Sequence, residues 1–410
     1  MSAKSQANIM SMDDALDHML GAARPARDVE HVLTGSALGR VLAEPLVSTI
    51  AVPPLDNSAM DGYAVRAAEL HVLGDTRLPV SQRIPAGSVG GPLAEGTAAR
   101  IFTGAPIPAG ADAVVMQELT TPQDGAVIIH KPVAPGTSLR RAGEDIAVGA
   151  TVLSAGTRLA AQHLGLAASI GIARLPVFRR LRVATFFTGD ELAAPGEALG
   201  PGQIYNSNRF TLNALLEALG CEVLDLGTVP DELDATVAVL DEAAKRADLV
   251  ITSGGMSVGE EDYVKAAVEK RGALDMWRIS VKPGKPLAFG RVGEAAFIGL
   301  PGNPVSVFVT FCLFARPFVL RMQGAQQIVP ASYWVEADFD WSRPDKRREF
   351  LRVRLHRDGT GKTSVALFPN QGSGVLTSTV WGDGLVDVPG GMVIARGQVV
   401  RFIPFSELVR

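Results

Sequence analysis

At 410 residues the chain exceeds what one hydrophobic core usually supports, which predicts two to four domains. A composition of 47% hydrophobic and 20% charged residues, with net charge −4, is that of an ordinary soluble globular protein. It excludes bulk electrostatic attraction to nucleic acid or anionic membranes, so any basic site must be local. Cys221 and Cys312 sit in apolar surroundings without Cys-x-x-Cys or His/Cys clusters, and read as buried hydrophobes rather than zinc ligands.

Ser11, with Asp14 three residues on, predicts a capped helix carrying Ala15, Leu16, Met19 and Leu20 on one face. "GSALGRVLAEPLVS" (35–48) reads as a second short helix. From about 52 to 140, β-prone runs such as "ARIFTGAPI", "ADAVVMQEL" and "GAVIIHKPV" predict a small β-rich domain inserted into a helical one. Residues 150–178 return to helix and strand. Over 179–327, strands ("RLRVATFFT", "EVLDLGTV", "DLVITSGG") alternate with helices, one of them capped by Ser207 or Asn208 and ending before Gly220. That alternation predicts a doubly wound, mostly parallel sheet with helices on both faces. "VSVFVTFCLFA", from Val305, stops at Arg316 and is too short to span a bilayer, so a core helix is expected. After 330, period-two runs predict an all-β domain. The first residues hold no apolar signal region, and a cytoplasmic location is expected.

In open α/β sheets, ligands bind beyond the carboxyl ends of the strands. The loops there carry Asp190 and Glu191, then Asp231, then Asp262. Separated acids on one rim suit a hard cation such as Mg²⁺, although helix-start acids favoured by the helix dipole give the same pattern. In "SGGMSVGEED", Gly254 and Gly255 admit close backbone approach to an anion and Ser253 and Ser257 add hydroxyls, but a tight strand-to-helix turn wants the same glycines. "VKPGKP" hangs Lys282 and Lys285 on a proline-stiffened turn. "GLPGNPVS" then starts a helix where Asn303 and Ser306 could face an oxyanion, so a site between the two segments is expected. "PPLDNSAMDGYAV", "TGAPIPAGAD" and "RRAGEDI" concentrate polar groups in turns, with a purely structural turn the competing reading for each. The six histidines show no ligand spacing.

Taken in order, "DNSAMDGYAV", "IFTGAPIPAGADAVVMQE", "RRAGEDI", "TGDEL", "YNSN", "SGGMSVGEEDY", "VKPGKPLAFG", "GLPGNPVS" and "QGSGVL" resemble the molybdopterin molybdenumtransferases of the MoeA type, similar to the E domain of gephyrin. The resemblance spans about 55 to 376 and is specific as an ordered set. It implies a helical unit over 1–53 and 141–178, an inserted β-rich domain over 54–140, an α/β molybdopterin-binding domain over 179–327, and a C-terminal β-barrel over 328–410. It also implies Mg²⁺-dependent insertion of molybdate into adenylylated molybdopterin with release of AMP, in a homodimer whose active site is shared between subunits.

By the same resemblance Asp190, Asp231 and Asp262 hold the metal. Asn206, Ser253, Gly254, Gly255, Ser257 and Gly259 bind substrate. Lys282, Lys285, Ser306, Arg347 and Ser373 form the molybdate pocket, and Asp61, Thr103, Asp145 and Glu191 are catalytic-cleft residues. Arg347 stands among Arg343, Arg348 and Arg352, any of which could face the oxyanion, and Phe187 replaces a serine that many members carry. An ATP-using adenylyltransferase and a non-catalytic scaffold of the gephyrin kind are the alternatives.

Overall fold

Ser11 does cap the first helix, Met12–Ala22: its Oγ accepts from the Asp14 amide at 3.1 Å and donates to the Asp14 carboxylate at 2.6 Å. The computed structural model describes residues 9–25, 28–255, 263–359 and 361–409. Strand Val29–Leu33 pairs antiparallel with Arg174–Phe178, so the chain leaves this unit and returns to it. The helix expected over 35–48 does not form. A 3₁₀ turn over Thr34–Ser36 and a short strand Leu46–Val47 stand there, because Gly39 takes φ +75° and Pro45 cannot supply a helical N–H. The β-rich segment is a six-stranded sheet in the order 113–116, 62–65, 98–101, 76–84, 126–129, 120–123.

The central sheet contains β1 (Arg182–Thr188), β2 (Glu222–Val229), β3 (Leu249–Ser253), β4 (Gly272–Arg278), β5 (Pro286–Val292) and β6 (Ala295–Leu300), ordered β2-β1-β3-β6-β5-β4. The first four of these neighbours run parallel, and β5 and β4 are antiparallel additions, so the sheet is mixed. Helices α1 (Ser207–Ala218) and α4 (Pro304–Met322) bury Leu212, Leu216, Val309 and Phe314 in one core. On the other, α2 (Leu233–Arg246) and α3 (Tyr263–Arg271) bury Leu240, Ala243, Ala267 and Val268 in a second core with Phe186 and Phe297. The strands are near-continuous apolar runs because both faces are covered.

α4 does not stop at Arg316. It passes through a π-helical turn over Phe311–Ala315 and continues to Met322, with Arg316 buried and donating Nη1 to the Ile328 carbonyl at 3.1 Å. By length and composition α4 could cross a membrane, but its apolar stretch is almost wholly buried inside the protein. In the last segment, strands Tyr333–Ala337, Arg348–Arg357, Thr363–Leu367, Gly384–Val388 and Val399–Pro404 pair in a ring and close a five-stranded barrel.

The entry to the central sheet rests on Asp248. It accepts both terminal guanidinium nitrogens of Arg179 at 2.7 Å and the Arg182 amide at 2.9 Å. Burial pushes its carboxyl up, but the Arg179 bonds and the Arg182 amide outweigh this and hold it below its ordinary value of 3.8. Its stabilisation is therefore complete above that value and is lost as pH falls below it. Asp248→Asn is expected to lower unfolding free energy by about 1–3 kcal/mol at neutral pH. In urea titrations the gap to wild type should shrink at pH 3; a gap independent of pH would contradict the charge assignment.

Candidate active-site cleft

A cavity of about 800 Å³ opens where the parallel strands end. Its walls are the turns after all four parallel strands: Thr188–Gly189 after β1, Asp231 after β2, Ser253–Gly255 after β3 and Pro301–Pro304 after β6. The Lys282–Pro286 loop and, from the C-terminal barrel, Arg347 and Gln371–Ser373 close the opposite side. Of the residues singled out from sequence, the cleft collects Glu191, Asn206, Asp231, Ser253, Gly254 and Gly255 on one side. On the other it collects Lys282, Lys285, Ser306, Arg347 and Ser373. Ser257, Gly259 and Asp262 lie outside the described residues.

The cations are not equivalent. Lys282 Nζ lies 2.9 Å from Glu349 and 3.6 Å from Asp345, so much of its charge is matched inside the protein. Lys285 is exposed and has no carboxylate partner among the described residues. Gly284 between them takes φ +112°, and a Cβ there would stand 2.2 Å from Thr310 Cγ2, so the loop is pressed against α4 and only glycine fits. Arg347 grips Asp345 through Nε at 3.0 Å and Nη2 at 2.9 Å, which holds the Asp345 carboxyl far below its ordinary range. Its neighbours turn away: Arg348 pairs with Asp387 and Asp13, and Arg352 is buried in the barrel. Of Arg347, Arg348 and Arg352, Arg347 is the one that lines the cleft.

Several expected ligand groups also serve the scaffold. Asn206, rather than Ser207 or Asn208, is the N-cap of α1, its Oδ1 accepting from the Arg209 amide at 3.1 Å. Asn208 instead donates to Ser253 Oγ at 2.9 Å and to the Gly302 carbonyl at 2.7 Å. Ser253 Oγ in turn donates to the Pro301 carbonyl at 2.9 Å, so its proton ties the ends of β3 and β6 together. Gly254, at φ +104°, comes so close to β1 that a Cβ would lie 2.2 Å from the Thr188 carbonyl. Close strand packing therefore requires this glycine whatever binds beside it. Asn303, at the start of α4, makes no side-chain cap bond, which leaves its amide facing the cleft.

Across the cleft, the Asp231 amide donates to Asp190 Oδ1 at 3.3 Å. Burial, and then the charges of Asp190 and Glu191, push the Asp231 carboxyl above its ordinary value. The Thr188 hydroxyl, buried on the cleft wall, faces Asp231 and works against this rise. Crowded carboxylate oxygens of this kind fit a hard divalent cation. No group of three or more potential ligands stands together among the described residues, and Asp262 falls outside them.

Asp61, Thr103 and Asp145 lie apart from this cleft, in the N-terminal half. Asp61 Oδ1 accepts from both the amide and the hydroxyl of Thr103 at 2.8 Å, and these two bonds hold its carboxyl below the ordinary value. Arg141 bonds Asp56 at 2.6 Å and so joins "LDNS" to "RRAGED". Asp145 donates its amide to the Val52 carbonyl.

The bonding of Gln371 to Arg352 has no signal in the sequence. Gln371 bonds both backbone groups of Arg352, and Arg352, 1% exposed, donates to the Gly372 carbonyl at 3.1 Å and to Ser378 Oγ at 3.1 Å. Together they hold the Gln371–Ser373 loop, while the Ser373 carbonyl accepts from the Val305 amide at 2.9 Å at the start of α4.

Three family models match the chain in succession: the MoeA N-terminal region (domains I and II) over residues 10–171, a probable molybdopterin binding domain over 184–321, and the MoeA C-terminal region (domain IV) over 335–405. A molybdopterin molybdenumtransferase of Haemophilus influenzae is 40% identical over 98% of this chain and 100% of its own length. Molybdopterin molybdenumtransferase 2 of Mycobacterium tuberculosis is 39% identical over 92% of this chain and 95% of its own. Among solved structures, a molybdopterin biosynthesis MoeA protein from Pyrococcus horikoshii superposes with TM-score 0.83 at 29% identity, covering 97% of this chain and 100% of that one. Another from the same organism gives 0.79 at 32% identity, covering 97% and 99%. With the order of its motifs, the mixed sheet and closed barrel, and relatives matched from end to end, the chain belongs to the MoeA family.

Proposed function

We propose that the chain is a transferase that inserts molybdenum into molybdopterin during molybdenum cofactor biosynthesis, taking adenylylated molybdopterin and molybdate and releasing AMP. The observation that carries this reading is the division of one cleft into two electrostatic halves: a cationic, donor-rich side (Lys282, Lys285, Arg347, Ser306) and an acidic side (Glu191, Asp231 and, bonded to it, Asp190). A tetrahedral oxyanion suits the first, where Lys285 and the Asn303 amide are unspent donors. The anhydride suits the second, whose acids Asp190 and Asp231 would hold Mg²⁺ with Asp262. When bound, the cation would neutralise phosphate charge as the anhydride breaks. The chain's own part is positional: the two stiffened loops set molybdate beside the dithiolene end of the pterin while the acids fix the other end.

Asp61, Thr103 and Asp145 complete the site in this reading from the β-rich domain of a second copy, in a homodimer working in the cytoplasm. Asp61, oriented by its two Thr103 bonds and held ionised, supplies the facing carboxylate.

Lys285→Ala is expected to raise the molybdate concentration needed for half-maximal cofactor formation by about 10-fold or more, as loss of one charge-assisted contact would, without weakening AMP-moiety binding. Lys282→Ala also leaves Glu349 buried and unpaired, so denaturant titration should show a loss of about 1–3 kcal/mol that Lys285→Ala lacks. Equal stability of the two variants would contradict the pairing.

Asp231→Asn removes a carboxylate that folding disfavours. Without divalent cation its melting temperature should therefore equal or exceed wild type at neutral pH, any gain fading as pH falls toward 3.8 and absent below it, where Asp231 is protonated in both states. Millimolar Mg²⁺ should stabilise wild type more than the variant, and AMP release should fall by about 100-fold. Equal Mg²⁺ shifts would remove Asp231 from the metal site.

Mixing two impaired variants, Asp61→Asn and Lys285→Ala, at a molybdate concentration well below what Lys285→Ala needs, tests the shared site. Random pairing should restore about a quarter of wild-type activity, because half the dimers then hold one intact site of two. No recovery after subunit exchange would mean that one subunit supplies both residues of a site.

A further inference from the structure

A second cavity, of about 1310 Å³, lies where the N-terminal unit, the central domain and the C-terminal end of the chain meet. Three arginines line it: Arg158 from the N-terminal unit, Arg180 just before β1, and Arg316 from the middle of α4. None forms an ion pair among the described residues. Each spends one donor on a backbone carbonyl: Arg158 Nη2 on Ala218 at 3.1 Å, Arg180 Nη1 on Gly220 at 2.8 Å, and Arg316 Nη1 on Ile328 at 3.1 Å. The first two close the carboxyl-terminal end of α1, where a cation is favoured, and that alone would justify one arginine.

It does not justify the remaining donors. Arg316 is only 7% exposed, and its Nε is buried with no partner, as is the Nε of Arg158. Burial holds both guanidinium groups below their ordinary values; on Arg316 the like charge of Arg158 adds to the effect, partly offset by Glu407. Buried, mutually repelling cations carry a standing cost that an anion at their terminal nitrogens would reduce. Two carboxylates, Glu217 and Glu407, also line the cavity, as does His163, whose Nδ1 is engaged by the Ala160 amide. The charge balance therefore stays positive. The rest of the wall is partly apolar: Leu153, Leu159 and Leu320 line it, with the more exposed Leu38 and Val329.

We propose that this cavity binds a phosphate-bearing small molecule, its phosphate held by Arg158, Arg180 and Arg316 and its apolar or aromatic part lying against Leu38, Leu320 and Val329. Planar guanidinium forks match phosphate oxygens in pairs, which an ammonium cannot do. The site is separate from the cleft: α1 and α4 each present their first residues to the cleft, while the end of α1 and the later half of α4 border this cavity.

Phenyl phosphate and inorganic phosphate are suitable probes, titrated calorimetrically into the full chain. Phenyl phosphate should bind wild type and Lys285→Ala alike, and more tightly than inorganic phosphate. Affinity should drop at least 10-fold, about 1.4 kcal/mol, in Arg158→Gln/Arg180→Gln. If that double variant fails to fold for want of its helix-end contacts, Arg180→Gln alone, at an exposed position, decides by the same comparison. Binding that survives loss of the arginines but disappears in Lys285→Ala would move the phosphate to the cleft and overturn the proposal. So would the absence of binding at millimolar phenyl phosphate.

Discussion

A single buried carboxylate fixes the cationic side of the cleft to the C-terminal barrel. Glu349 is 2% exposed, and its oxygens bond Lys282 Nζ at 2.9 Å, Trp341 Nε1 at 2.9 Å and the Asp345 amide at 2.9 Å. The same residue pairs through its backbone with Lys282, where Val281–Lys282 runs parallel beside the barrel strand Arg348–Arg357. A buried charge is tolerable only when fully bonded, so the three donors are obligatory for one another. Through Asp345 the network reaches Arg347, and through Lys282 it reaches the loop packed on α4. The barrel therefore does more than cover the central domain; it carries the counter-charge that sets where the cleft cations stand.

This network changes the meaning of the paired lysines. Two cations on a stiff turn suggest one doubly charged pocket. With Lys282 matched by Glu349 and Asp345, and Arg347 matched by Asp345, the net attraction for an incoming oxyanion falls mainly on Lys285 and on uncharged donors. Such a site offers an oxyanion directed bonds more than bulk charge. That distinction suits a substrate which has to enter, react and leave as part of a larger molecule.

The central fold was legible because strand–helix alternation is a strong signal, and so was the rim, since parallel strands must end on one side. The acid loops and "GLPGNP" follow from that rule, whereas "VKPGKP" joins them only through its place just upstream of "GLPGNP". What depended on distant partners was not legible. Nothing near Lys282 in the chain announces Glu349, and nothing around Arg352 announces that it holds the loop at Gly372. α4 was cut short at Arg316 because a charged residue reads as a boundary, whereas here the Ile328 carbonyl takes one of its protons and the core covers its stem. The segment over 35–48 has helical composition but carries Gly39 at φ +75° and Pro45, and backbone geometry won over propensity. Asn206, expected among the substrate-binding groups, lines the cleft and also caps α1; polar residues at strand-to-helix junctions can do both.

The same junctions explain why the cleft is stiff. Ser253 Oγ bonds the Pro301 carbonyl, Asn208 bonds the Gly302 carbonyl, and the Ser373 carbonyl takes the Val305 amide, so three loops from distant parts of the chain are fastened at one point. Behind them α4 is buried along nearly its whole length, which leaves little room for the start of that helix to shift without disturbing the core. Donors fixed before a ligand arrives need no reorganisation when it binds. Hydrogen bonds that look merely structural at Asn206, Asn208 and Ser253 are thus part of how the cleft holds its charge pattern. Their side chains are consumed by the scaffold so that Lys285, Asn303 and the facing acids can remain available.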